Sequence, residues 1–254
     1  SGGTINVSSG AVASGTIVSG GGLFNISGVA SGSTALSGGE IVLSSGGSTN
    51  IVNISSGGVF NILSGATTIN TILSAGGTLN IWNSFAAAHH DYHTASSGAV
   101  INVMSGGTLS AGDVASGGTV NVTSDGVASG TIVSGGGLFN ISGVASGSTA
   151  LSGGEIVLSS GGSTNIVNIS SGGVFNILSG ATTINTILSA GGTLNIWNSF
   201  AAAHHDYHTA SSGAVINVMS GGAFLSGDVA SGGTINVTSG SVASGTIVSG
   251  GGTM

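Results

Sequence analysis

Gly57-Gly58-Val59-Phe60-Asn61-Ile62, answered nineteen residues later by Gly76-Gly77-Thr78-Leu79-Asn80-Ile81, decides how this chain folds. In an extended strand successive side chains face opposite ways. Phe60 and Ile62 therefore share one face, as do Leu79 and Ile81, while Asn61 and Asn80 take the other. Working outward, the same phrase recurs as Thr4-Ile5-Asn6-Val7, Leu23-Phe24-Asn25-Ile26, Glu40-Ile41-Val42-Leu43, Val100-Ile101-Asn102-Val103 and Thr119-Val120-Asn121-Val122. Successive spacings are 19, 17, 19, 19, 22 and 19 residues, which complete a block of 115. Thirteen such strands fit in the 254 residues.

Two inward columns follow from the alternation. One reads Ile5, Phe24, Ile41, Phe60, Leu79, Ile101, Val120, and the other Val7, Ile26, Leu43, Ile62, Ile81, Val103, Val122; neither holds a polar residue. A second strand precedes the next Gly-Gly, as in Thr16-Ile17-Val18, Thr34-Ala35-Leu36 and Thr71-Ile72-Leu73. Clusters such as Ala13-Ser14-Gly15 and Ser56-Gly57-Gly58 separate the strands, with glycine supplying the positive φ that sharp corners need. Two short strands cannot bury an apolar face alone, but stacked rungs align like residues into internal ladders. Parallel crossovers are right-handed. The expected fold is all-β, a right-handed parallel β-helix of about 13 rungs of ~19 residues. An antiparallel sandwich would not keep apolar columns in register at a fixed spacing.

The long period organises the chain as a single solenoid segment, residues 1–254, with near-identical blocks at 12–126 and 127–241. Val12 to Gly107 recurs unchanged as Val127 to Gly222. Identity of that extent marks duplication or an engineered array, not a catalytic constraint. A start at Ser1 without an initiator methionine reads as a piece of a longer protein.

Composition removes whole classes of function. The chain has neither lysine nor arginine, seven carboxylates and a net charge of −7. Nucleic-acid binding rests on cations that neutralise phosphate, so no nucleic-acid partner is expected, and anionic membrane surfaces are disfavoured likewise. No apolar run approaches the ~20 residues of a membrane helix, so no membrane insertion of this segment is expected. Fifty-one glycines would suggest a flexible linker, yet 40% of the residues are hydrophobic and regularly placed, which a disordered chain lacks.

One rung departs from the pattern. The 22-residue repeat carries Trp82-Asn83-Ser84-Phe85-Ala86-Ala87-Ala88-His89-His90-Asp91-Tyr92-His93, copied as Trp197 to His208, and these two stretches hold all six histidines. His89, Asp91 and His93, with His204, Asp206 and His208, have the alternate spacing of a strand face that binds a divalent cation. The competing reading is a protruding loop with a solvated tip; no further ligand is identifiable, so no metal and no cofactor is assigned. Serine is too abundant for a Ser-His-Asp set to mean anything, and no nucleophile elbow supports one. Polysaccharide-cleaving solenoids rely on acid clusters or a basic residue, and here Glu40 lies many rungs from Asp113 with no cation present. No enzymatic activity is expected. Asn-x-Ser/Thr triplets at Asn6, Asn25, Asn53 and Asn121 match N-glycosylation acceptors, but the repeat itself explains them. Thr4, Thr16, Thr34, Thr49, Thr68, Thr78 and Thr119 fall at inconsistent rung positions for a flat ice-binding array.

The unit S-G-G-x-x-N-[IV]-x-S-G-G, seen at Ser1 to Gly10, Ser116 to Ser124 and Ser231 to Gly240, is joined through A-S-G-T-x-[VL] linkers at Ala13 to Val18 and Ala30 to Leu36. It resembles the repeats of self-associating autotransporter adhesins of the diffuse-adherence (AIDA) and TibA type, over essentially the whole chain. The resemblance implies an extracellular passenger segment at the bacterial cell surface, anchored in the outer membrane through a region not present here. It implies adhesion to host-cell surfaces or glycans, self-association into aggregates, and biofilm formation. It further implies a glycosyltransferase partner that adds heptose to repeat serines, with Ser19, Ser37, Ser56, Ser116, Ser134, Ser152, Ser171 and Ser231 as candidates. The His-rich insertion is a departure from that family pattern. Two other readings stay open: a carbohydrate-active β-helix enzyme, and a self-assembling extracellular matrix fibre.

Overall fold

The computed structural model describes residues 2–83, 85–86, 93–189, 191–198, 200–201, 208–210, 213–229 and 232–254. Its secondary structure is strand and turn only among these residues. The fold is a right-handed parallel β-solenoid, as the sequence predicts. The chain divides into two compact units, Ser1–Ser129 and Gly130–Met254.

In the first unit the seven repeated phrases form one parallel sheet of strands Thr4–Val7, Leu23–Ile26, Glu40–Leu43, Val59–Ile62, Thr78–Ile81, Val100–Val103 and Thr119–Val122. Register is strict: Phe60 stands against Leu79, and Leu79 against Ile101. In the second unit Leu138–Ile141, Glu155–Leu158, Val174–Ile177, Thr193–Ile196, Val215–Val218 and Thr234–Val237 repeat the arrangement. Both inward columns are buried except at the end rungs, where Ile5 and Val237 are exposed, and Phe24, Phe60, Phe139 and Phe175 are fully inaccessible. Each such aromatic or aliphatic side chain taken from water contributes ~1.5–3 kcal/mol. That burial holds together a chain almost without charge.

The second sheet differs from the expectation. Three of its strands, Val29–Ala35, Ser48–Ile54 and Thr67–Leu73, are seven residues each and longer than the three-residue pieces read from sequence, while other rungs keep two short strands, as at Val12–Ser14 with Ile17–Val18 and Thr108–Ser110 with Gly112–Val114. Each long strand bends at a central residue with positive φ, namely Gly32 (63°), Ile51 (58°) or Asn70 (55°). The bend folds one strand across two sides, so a rung has three sides. The first half of each strand escaped notice because its inward residue is small or polar: Ala30, Thr49 or Thr68, each buried. In the rung of Phe24 the second sheet presents only Ala30, Ser33 and Ala35 inward, small side chains opposite a large one.

Hydroxyls inside the coil form their own ladder. Thr49 and Thr68 are 2.7 Å apart and Thr68 lies 3.3 Å from Thr71; the second unit repeats this with Thr164 donating to Thr183 at 2.8 Å.

The Gly-Gly punctuator now has a mechanical explanation. Ser55 to Gly58 is a type I′ turn, with Ser56 at φ 52°, Gly57 at 79°, and the Gly58 N–H donating to the Ser55 carbonyl at 3.0 Å. Gly57 supplies the left-handed conformation. Gly58 is required for a different reason: a Cβ there would lie 2.4 Å from the Ala35 carbonyl oxygen of the rung below.

Candidate functional site: the serine corners and the long rung

Two corners flank the first sheet. The corner entering it is the type I′ turn just described, and the corner leaving it has positive φ only at its third residue, as at Gly46 (77°) in Ser44 to Gly47. Most rungs therefore carry a serine at the second turn position of each corner, stacked at the rung spacing of about 4.8 Å.

Of the predicted acceptors, Ser37, Ser56, Ser116, Ser152 and Ser171 occupy that second position at the entering corner, and all five are exposed. Ser19 and Ser134 are instead first residues of their turns, their carbonyls accepting from Gly22 at 3.0 Å and Gly137 at 2.9 Å. Ser19 is exposed and Ser134 half-buried; Ser231 lies outside the described residues. Sequence reading missed Ser97, which is exposed at φ 51° in the same place as Ser56. Its turn ends Gly98-Ala99, so the Gly-Gly signature was absent.

A second row, at the leaving corner, was also missed: Ser9, Ser45, Ser64, Ser105 and Ser124, all exposed. The rows differ in their surroundings. A Cβ on Gly65 would meet the Ser45 Oγ at 3.0 Å, and Ser64 Oγ accepts from Asn83 Nδ2 at 3.1 Å, so this row leans on the next rung. At the entering corner a Cβ on Gly57, Gly98 or Gly117 meets nothing within 4 Å, though one on Gly38 would meet the Gly21 nitrogen at 3.3 Å.

The outward face of the first sheet is an amide ladder. Asn25 donates to Asn6 at 2.9 Å, Asn80 to Asn61 at 2.8 Å, Asn102 to Asn80 at 2.8 Å and Asn121 to Asn102 at 2.9 Å. Where Val42 interrupts the column, Glu40 Oε1 accepts from Asn61 at 2.7 Å, and Glu155 serves Asn176 in the same way in the second unit. Asn6, Asn25 and Asn121 of the Asn-x-Ser/Thr triplets are thus members of a structural ladder. Among the described residues the remaining carboxylates are Asp113, Asp125 and Asp228, and burial raises the Asp113 carboxyl above its ordinary value.

The long rung opens at the bend of the second sheet. Phe85–Ala86 pairs with Thr67 and with Thr108-Leu109, and His93–Ala95 resumes against Ile72-Leu73 and Gly112–Val114. The insertion therefore replaces the bend residue that is Ile51, Asn70 or Ala111 elsewhere, without breaking the ladder on either side. Of the candidate ligands, His93 and His208 begin strands, paired with Gly112 and Gly227. His89, Asp91, His204 and Asp206 lie outside the described residues. Among the described residues no three His, Asp or Glu side chains come together.

No protein-family model matches this chain, and no curated protein does. A solved structure is similar: the TibC-catalysed, hyper-glycosylated TibA55-350 fragment, with a TM-score of 0.77 and 28% identity, over 98% of this chain and 90% of that one. The likeness spans the solenoid from end to end, and it agrees with the resemblance of these repeats to autotransporter adhesin passengers.

Proposed function

From this likeness to an autotransporter adhesin passenger, we propose that the chain is a non-enzymatic, adhesive stalk segment displayed at a bacterial cell surface and anchored through a region outside this sequence. It self-associates with like chains, adheres to host-cell surfaces or glycans, and promotes aggregation and biofilm. A glycosyltransferase adds heptose to serines of the entering corner. The observation that carries the reading is the match, over 98% of the chain, to a passenger fragment that is itself hyper-glycosylated. The exposed row of Ser56, Ser97, Ser116, Ser152 and Ser171 supports it from the side of geometry. Multivalency suits such a surface, because many weak contacts add along a repeat without any strong one.

Co-expression with TibC, followed by intact-mass and peptide mass spectrometry, tests the modification. Heptose-sized increments on the entering-corner serines, lost when those serines become alanine, are expected. Display of the chain on a non-aggregating bacterium tests adhesion through settling rate. An unmodified mass together with unchanged settling would overturn the proposal.

A further inference from the structure

The only two tryptophans of the chain stand at one place in the repeat, and the fold does not ask for them there. The residue following each strand of the first sheet donates its backbone N–H to the rung below: Ser44 to Ile26 at 2.8 Å, Trp82 to Ile62 at 2.9 Å, Thr123 to Val103 at 2.9 Å. Ser27, Ser44 and Thr123 perform this with small polar side chains, so the bond is indifferent to what the side chain is. Trp82 nevertheless occupies it with 43% of its surface exposed, and Trp197 with 46%. Leu63 precedes Trp82 in the row and Met104 follows it, one rung to either side.

The residue that follows each tryptophan in the chain ties neighbouring rungs together. Asn83 adopts φ 40° and Asn198 φ 41°, a left-handed conformation that the second residue of other leaving corners avoids. The Asn83 N–H donates to the Ser105 carbonyl at 3.2 Å, and its amide donates to Ser64 Oγ at 3.1 Å. Gly106 makes room, since a Cβ there would come 2.7 Å from Asn83 Oδ1. The second unit reproduces each element with Asn198, Ser179 and Gly221. Asparagine tolerates this conformation, and in both units it sets an amide one residue along the chain from an exposed aromatic.

We propose that Trp82 with Asn83, Ser64 and Ser105, and equally Trp197 with Asn198, Ser179 and Ser220, form a subsite for a neutral pyranose ring of a glycan carried by another molecule. A pyranose offers an apolar C–H face to the indole and equatorial hydroxyls to the amide and serines; an aromatic body beside a few polar groups is the usual composition of such a site. Charge selects the class of sugar. The corner residues are uncharged, and a chain with no lysine or arginine and a net charge of −7 repels sialic acids and uronates. One such subsite per 115-residue block makes binding multivalent along the repeat. The inference deepens the adhesive reading and takes its biological setting from it, whereas the site itself is argued from the corner alone.

The test uses the whole chain produced without any glycosyltransferase, so that its outcome is independent of modification and of cell settling. Cellopentaose and lacto-N-neotetraose are titrated, with 3′-sialyllactose as the anionic comparison, and tryptophan emission reports only the two proposed sites. A saturable blue shift with at least one neutral probe and none with the anionic one is expected. By calorimetry the W82A/W197A double variant should bind about tenfold more weakly or worse, and W82F/W197F should stay within about threefold, as a stacking role requires. Unchanged circular dichroism of both variants separates loss of site from loss of fold. The proposal is overturned by silence of both neutral probes, by undiminished binding of the double alanine variant, or by self-association of the chain that this variant abolishes.

Discussion

Ile51 and Ile166 are the residues least suited to their positions. Each bends a strand of the second sheet at φ near +58° or +59°, where a β-branched side chain crowds its own backbone. One rung on, the same bend is made by Asn70 at φ 55°, and one rung back by Gly32 at 63°. The left-handed conformation costs about 1–2 kcal/mol for an L-residue, and asparagine tolerates it better. Ile51 is 45% exposed, so its replacement sacrifices little burial. Ile51→Asn and Ile166→Asn should each stabilise the chain by about 1 kcal/mol, read as a higher urea midpoint at unchanged m-value. A lower midpoint would show that the exposed isoleucines make contacts worth more than the strain.

At the scale of the element, the first sheet is held by three kinds of repeat acting together. Backbone pairing links like residues, buried aliphatic columns fill the interior, and amides run along the outside. The amide ladder is directional, each asparagine donating to the rung below, so an interior member takes part in two bonds. Asn80 donates to Asn61 and accepts from Asn102, both at 2.8 Å. Asn80→Ala should destabilise the first unit by about 1–3 kcal/mol, at the usual net worth of a hydrogen bond. Hydrogen exchange should register faster opening in Val59–Ile62 and Val100–Val103, while the strand around Asn195 of the second unit serves as internal reference. Equal exchange in the two units would mean that the ladder adds nothing beyond backbone pairing. Legibility also divides at this scale. The first sheet was readable to the residue because large apolar side chains alternate there with asparagine. The outer half of the second sheet was not, because Ala30, Thr49 and Thr68 face inward without the size that marks a core position.

For the whole molecule the unusual fact is composition: seven carboxylates and no lysine or arginine to pair with them. Histidine is neutral near pH 8, so added salt there has only like-charge repulsion to screen. The melting temperature at pH 8 should hold or rise between about 0.05 and 1 M sodium chloride, where a protein relying on surface salt bridges would lose stability. A clear fall would require an attractive electrostatic term that this composition does not supply. The same lack of cations is why an uncharged ligand suits the Trp82 corner.

The sequence by itself determined the rung, its two apolar columns, the parallel stacking and the family likeness. All of these are periodic, and a period of nineteen residues can be counted without knowing where any atom lies. Only the tertiary structure decided the three-sided rung with its bent strand, the two unlike serine corners, and the union of Ser64, Asn83 and Ser105 beside Trp82. Those features depend on which residues the coil brings one above another, about 4.8 Å apart in space though nineteen or more apart along the chain. They depend equally on backbone angles at single positions. Serine at a type I′ corner and serine at the opposite corner are spelled alike; the sign of φ at Ser56 and the contact of Ser45 with the Gly65 turn are what make them different.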